Sequence, residues 1–301
     1  MNRFRKEEIS ASSADHSVPA TPFSWSVSRH LLFRKCLRAY YLHYYYAQGG
    51  WDPYADEMIR FIWYSKKNLC YEEWLEKHLE EILRFSFDRI RQVPVPARQR
   101  MLGVQFQSKL TALSSAWAEK SSVWENHFSY EKAYHDLTGA LRSFQQSEIC
   151  EMLCKVQGLT LFHRAFKPSF QYQGTELWYN PGLIWREGVL LISLRTHFRK
   201  PSDSFIRAES DMFALSAKHL TGSNESVSIF RYPVGDVWKE TERVGNVSHA
   251  GERFRRDRKE MLSLLRGDQA YLSDFPKEER QCSDCRFSGV CAAMTERFGE
   301  I

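Results

Sequence analysis

Large apolar residues recur at helical intervals through the first half of the chain and at strand intervals through part of the second, and this change of period predicts a mixed α/β protein. From Ser24 to Tyr46 a serine suited to an N-cap opens a run of apolar and aromatic residues without Pro or Gly, which predicts one helix. Gly49 and Gly50 end it. A second helix is expected from about 56 to 91, with Trp63, Leu69, Trp74, Leu75, Leu79, Ile82 and Leu83 on its apolar face, until Val-Pro-Val-Pro at 93–96 breaks it. Helices at roughly 97–120 and 130–154 follow, so the chain up to about 158 reads as helical. Three short segments then run from Leu159 to His197, rich in aromatic and aliphatic residues and separated by Gly-containing turns, and these predict three strands in a meander. A helix over about 207–220, a strand over 226–233 and a charged amphipathic helix over 248–266 precede a cysteine-rich tail.

With 301 residues, 43% hydrophobic and 26% charged, the chain has enough apolar side chain for a sizeable core in one or two domains. The start, up to Phe23, is polar and rich in Ser and Ala, without the apolar run of a signal peptide or membrane helix. The expectation is a disordered N-terminus over 1–22, no membrane contact and a cytoplasmic location. A net charge of +5 favours a polyanionic partner without identifying one.

Seven cysteines, an odd number beside no export signal, argue for reduced thiols rather than a disulfide framework. Cys150 and Cys154, four apart on a predicted helix, and Cys70, among apolar residues, read as buried small hydrophobes. Cys282, Cys285 and Cys291 form C-x2-C-x5-C in a Gly-containing, loop-like stretch that lets three thiolates converge. Zinc and the common iron–sulfur clusters take four protein ligands. Cys36 is the natural fourth, because Arg29, Arg34, Lys35 and Arg38 surround it and positive charge favours a thiolate. Spacing alone leaves three readings open: an iron–sulfur cluster, zinc completed by Cys36 or a histidine, and no metal at all.

The run Phe-Ser-Trp-Ser-Val-Ser-Arg at 23–29, Phe33 to Tyr45 with its central Cys36, and Gly-Gly-Trp at 49–51 resemble the opening of RecB-like PD-(D/E)XK nucleases, of the kind found in CRISPR adaptation, that carry an iron–sulfur cluster. The resemblance runs from about 23 to 294. It implies a [4Fe-4S] cluster held by Cys36, Cys282, Cys285 and Cys291, with zinc as the alternative. The implied fold is a small mixed sheet flanked by helices, with a helical insertion, its two chain ends joined by the cluster. The expected layout is an N-terminal helix over 23–51, a helical insertion over 52–158, a nuclease-like core over 159–270 and a cluster segment over 271–301.

The family's chemistry uses carboxylates on two adjacent strands to hold a divalent cation, and a lysine to orient water. On that pattern Gly182 stands at the first carboxylate, Ser193 at the second and Arg195 at the lysine. Glu209 and Phe213 stand at the family's Gln-x3-Tyr helix. His78 is the nearest match to an upstream metal-binding His, but it lacks the flanking Gly and the role is not assigned to it. Gly and Ser cannot neutralise a divalent ion, and Arg195 brings positive charge where the cation would sit. Glu176, Glu187, Asp203, Glu209 and Asp211 surround the motif strands and are the candidates for a rebuilt site.

No nucleotide-binding glycine loop and no histidine pair of the metalloprotease kind is present. Basic residues mixed with aromatics at 29–46, 195–200 and 253–259 suit an unpaired nucleic-acid strand. Arg195, Arg199 and Lys200, just after the motif strand, are the expected phosphate contacts. The leading expectation is therefore an inactive nuclease relative that binds DNA or scaffolds a repair or defence complex beside a helicase or active nuclease. A protein-interaction module without nucleic-acid binding, and an active nuclease with a rebuilt site, are the alternatives.

Overall fold

The computed structural model describes residues 17–67, 70–118, 129–155, 169–187, 190–222, 226–233, 241–283 and 285–298. It is a mixed α/β protein in two compact units: the segments up to 68 and from 255 onward form one, and 69–254 the other. Among the described residues no helix is long and apolar enough to cross a membrane.

The terminal unit opens with strands β1 (Ser17–Pro19) and β2 (Ser24–Ser26). The expectation of disorder through residue 22 is thus corrected at β1, where Val18 is buried; residues 1–16 lie outside the described residues. Ser26 Oγ accepts the Arg29 N–H at 3.0 Å and starts α1 (Val27–Lys35). The single helix expected to Tyr46 is interrupted: Cys36, extended at φ −162°, closes α1 and caps α2 (Leu37–Tyr41), which runs into a π turn at Leu42–Tyr46. Arg34 and Lys35 are exposed, but Arg29, Arg38 and most of the tyrosines of this run point inward. Tyr40, Tyr41 and Tyr45 are buried, and Arg29, itself buried, donates to the Tyr40 hydroxyl at 3.0 and 3.1 Å and to Tyr45 at 3.2 Å. These side chains are core, which removes the tyrosine run from the expected nucleic-acid contacts.

The predicted helix over 56–91 is two. α3 (Glu57–Lys67) belongs to the terminal unit and α4 (Tyr71–Ile90) to the other. Gly50 closes the preceding turn on α3: a Cβ there would stand 2.4 Å from Trp63 Cβ and 2.8 Å from the Ile59 carbonyl oxygen. Cys70, expected to be buried, is exposed at the start of α4, where its N–H bonds Glu73 at 2.9 Å. Its polar neighbours Glu72 and Glu73 occupy the helix's first turn and hold that end in water.

In the central unit α4, α5 (Val95–Ala118), α6 (Tyr130–Gln145) and α7 (Glu148–Lys155) bury Trp74, Leu75, Leu79, Ile82 and Leu83 as the periodicity predicts, together with Cys150 and Cys154. A hairpin of β3 (Ser169–Tyr172) and β4 (Thr175–Trp178) follows, turning through Gln173 and Gly174 at positive φ. The four-stranded sheet β5-β6-β7-β8 comprises β5 (Leu183–Glu187), β6 (Leu190–His197), β7 (Ser226–Pro233) and β8 (Thr241–Val244). The expected meander becomes two hairpins, β3–β4 and β5–β6, because Asn180, Pro181 and Gly182 break the middle segment; its stretch at 159–168 lies outside the described residues. β6 and β7 run parallel, which requires the crossover helix α8 (Asp203–Thr221).

Leu183, Trp185, Ile192, Leu194 and Tyr232 share one core with α4–α7, so the helical segment and the sheet bury each other. Helix α9 (Val247–Ser263) returns the chain to the terminal unit. There β9 (Leu265–Arg266) and β10 (Gln269–Tyr271) make a ladder with β1, and α10 (Ser288–Phe298) carries Cys291, which is helical rather than in a loop.

Candidate functional site

The three motif positions come together at the start of β5 and the end of β6. Gly182 has φ +77°, and a Cβ on it would lie 2.5 Å from the Leu194 carbonyl oxygen and 3.2 Å from Arg195 Cδ. An aspartate there would have to displace the adjoining strand. Ser193 is buried and its hydroxyl donates to the Pro181 carbonyl, while Arg195 Nη1 reaches the Asn180 carbonyl at 3.4 Å. The residues at the second carboxylate and lysine positions therefore strap the 180–182 turn to β6.

Arg195 is also the hub of a buried charge cluster. Its Nη1 lies 2.7 Å from Glu80 on α4 and its Nε 2.9 Å from Glu209 Oε1 on α8, with the side chain only 18% exposed. Arg231 on β7, fully buried, lies 2.8 Å from Glu209 Oε2 and also donates to the Ser210 hydroxyl at 3.2 Å. Two carboxylates and two guanidiniums make the cluster neutral. Burial alone would lower the Arg195 pKa, but the Glu80 and Glu209 carboxylates more than offset it and hold the guanidinium firmly charged. Burial raises the Glu80 carboxyl above its usual range, and Arg195 offsets this only in part. The Tyr179 phenol is raised by burial and then by Glu209; its ring packs against Phe213, 6.2 Å between centroids.

Glu80 and Arg231 were not among the expected site residues. The signal for Glu80 was in the chain: Glu72, Glu76 and Glu80 stand four apart on α4 and form one stripe. That stripe meets the end of β6 and the segment after it residue by residue. Glu72 pairs with Arg199 at 2.7 Å, Glu76 accepts the Phe198 N–H at 2.8 Å, and Glu80 takes Arg195. Two of the three expected phosphate contacts, Arg195 and Arg199, thus already have carboxylate partners. Lys200 is exposed. His78 packs on Trp74 and lies 3.4 Å from Glu81.

The remaining carboxylates do not assemble. Glu176 accepts from Ser169 at 2.8 Å, Asp203 lies in the first turn of α8, and Asp211 holds the Asn246 N–H and Arg253 at 2.9 and 3.0 Å. The side chain of Glu187 lies outside the described residues. A groove of about 560 Å³ beside β3, lined by residues including Phe170, Glu176 and His219, contains none of the motif positions.

In the terminal unit Cys36 lies beside the segment that leads to the other three cysteines. Its sulfur accepts the N–H of Ala39 at 3.5 Å and of Glu278 at 3.4 Å. Arg38 holds this segment in place, its N–H on the Pro276 carbonyl at 3.0 Å and its Nε on the Phe275 carbonyl at 2.6 Å. Cys282 Sγ contacts the Glu278 carbonyl at 3.8 Å, so Cys36 and Cys282 flank one residue. Burial raises the Cys291 thiol; Arg38 lowers it, and Cys36, Cys282 and Cys285 raise it again, which sets the four in one electrostatic neighbourhood. Among the described residues no group of three or more His, Cys, Asp and Glu side chains converges tightly enough to hold a metal ion. All-sulfur donors with N–H bonds to one of them suit zinc or an iron–sulfur cluster.

No family model matches the chain, and no curated protein matches it.

Proposed function

We propose that this chain is a catalytically inactive relative of PD-(D/E)XK nucleases that binds DNA or scaffolds a larger repair or defence assembly, beside a helicase or active nuclease. The observation that carries this reading is the neutral buried cluster of Glu80, Arg195, Glu209 and Arg231 at the motif strands. A divalent cation is held by net negative ligands; here the carboxylates nearest the motif are already matched by guanidiniums, one of them standing at the family's lysine position. The strand order, with a parallel pair bridged by a helix behind the motif hairpin, supports the family resemblance.

Cys36, Cys282, Cys285 and Cys291 would hold an iron–sulfur cluster, whose chemistry here is a structural tie among thiolates from both chain ends. Iron and sulfide analysis of protein purified without oxygen tests it: stoichiometric zinc without iron overturns the cluster.

The functional reading is tested with Mg²⁺ or Mn²⁺ and single- and double-stranded DNA and RNA. The expected result is no cleavage, together with DNA binding that weakens steeply with salt. Cleavage that disappears in Glu209→Gln would instead establish a rebuilt site. The carboxylate partners of Arg195 and Arg199 favour a second reading, a protein-interaction module, and negligible DNA affinity at low salt would select it.

A further inference from the structure

Two cations without a carboxylate meet around one tyrosine of the terminal unit. Arg29, 2% exposed, directs its guanidinium at neutral groups, the hydroxyls of Ser24, Tyr40 and Tyr45 at 3.0 to 3.2 Å. Its Cζ stands 4.4 Å from the Tyr44 ring centre, and Lys66 Nζ, from the last turn of α3, stands 5.9 Å from the same ring centre. Among the described residues neither Arg29 nor Lys66 pairs with a carboxylate. Glu57 opens α3, about 13 Å along the axis from Lys66, and Asp52 and Asp56 before it are turned onto the N–H groups of Tyr54 and Met58.

Hydroxyls gather at the same place. Ser26 and Ser28 Oγ lie 3.0 Å apart at the start of α1, and both hydrogen-bond the Tyr44 side chain, with Ser28 exposed. Burial lowers the Lys66 pKa, and the charges of Arg29 and Lys67 lower it further. His43, its ring 4.5 Å from that of Tyr44, is held down to about 3 by burial and then by Lys66, Arg286 and Arg29. A guanidinium stays charged when buried, and a charge taken out of water is costly unless an opposite charge meets it. The rings around Arg29 offset part of that cost with their electron-rich faces, but they bring no net negative charge.

We propose that the surface at Tyr44 binds a phosphate group, with the Lys66 ammonium and the Ser28 hydroxyl donating to its oxygens and Arg29 supplying charge from the core. A phosphate answers this arrangement better than a carboxylate does. It brings up to about two negative charges to two cations, and enough acceptor oxygens for an ammonium and a hydroxyl together. The site does not depend on the DNA-binding reading, because a free phosphate satisfies it as well as one carried by a nucleic-acid strand.

The test titrates the full chain, purified without oxygen, with inorganic phosphate in a calorimeter at constant ionic strength, beside acetate as a control. Wild type is expected to bind phosphate in preference to acetate. Lys66→Gln is expected to weaken phosphate binding at least about tenfold, the usual worth of a charge-assisted hydrogen bond. Ser28→Ala, at an exposed position, serves if Lys66→Gln fails to fold, and is expected to weaken it roughly threefold or more. Lys218→Gln, which removes an exposed lysine of α8 in the other unit, is expected to change nothing. Oligothymidylate with and without a 5′-phosphate identifies the source. Tighter binding of the phosphorylated strand, lost in Lys66→Gln, assigns the site to a strand end. Phosphate binding with which neither oligonucleotide competes assigns it to a small phosphate compound. The proposal is overturned if wild type binds neither inorganic phosphate nor the phosphorylated strand, if Lys66→Gln and Ser28→Ala bind as wild type does, or if acetate binds as tightly as phosphate.

Discussion

On the proposed nuclease resemblance, Gly182 and Arg195 are the two positions whose surroundings weigh most against a metal-dependent active site. At Gly182 the positive φ and the Leu194 carbonyl 2.5 Å from a Cβ exclude a side chain, so an aspartate cannot enter unless the adjoining strand moves. Gly182→Asp is expected to cost about 1–3 kcal/mol of stability and to give no Mg²⁺-dependent cleavage. Denaturant unfolding and a cleavage assay check both; cleavage by that variant would refute the reading. Arg195→Ala leaves Glu80 and Glu209 buried with one guanidinium between them, an expected loss of about 3–5 kcal/mol. Adding Glu80→Gln should recover part of that loss, and a double-mutant cycle measures the coupling. Gly182, Ser193 and Arg195 are thus one packed arrangement, a fact of tertiary contact that no single position announces.

Helix α4 and helix α9 each carry charge that looks solvated in sequence and is not. The stripe Glu72, Glu76 and Glu80 neutralises the segment after β6, which read alone is a basic patch. On α9 the run at 253–259 also reads as basic, yet within the terminal unit Asp257 is fully buried, accepting from Trp25 at 3.0 Å and Arg34 at 2.8 Å with His30 at 2.5 Å. Burial alone would raise the Asp257 carboxyl; His30, then Arg34 and Trp25, more than offset it and hold it below its usual 3.8. A carboxylate with a depressed folded pKa stabilises above its unfolded pKa and loses that contribution as pH falls through the folded value. Wild type is therefore expected to exceed Asp257→Asn in stability most clearly above about pH 4. The gap should narrow as the pH drops further; a gap that stays constant down to about pH 2, in urea melts at each pH, would count against this role.

At the scale of the molecule, the segments before 68 and after 255 fold into one unit although nearly two hundred residues of the other unit intervene. On the proposed cluster, Cys36→Ser is expected to lower the thermal midpoint by several degrees and abolish iron incorporation, because it would remove one ligand together with the sulfur that receives the Glu278 N–H. A chelator should act on wild type in the same direction and leave Cys36→Ser nearly unchanged; equal responses would exclude a shared cluster. Periodicity by itself determined the helices after residue 70, the strand at 226–233 and the inward burial of Cys150 and Cys154, because local repeats of 3.6 and 2 record which side faces the core. Only the tertiary structure decided that α1 breaks at Cys36, that Cys70 lies in water, that Tyr40, Tyr41 and Tyr45 are core while Tyr54 and Tyr64 are exposed, and that Arg195 is matched by Glu80 and Glu209. The reason is common to all four: which charges meet, and which aromatic face is covered, depends on elements far apart in the chain, and a local pattern carries no record of them.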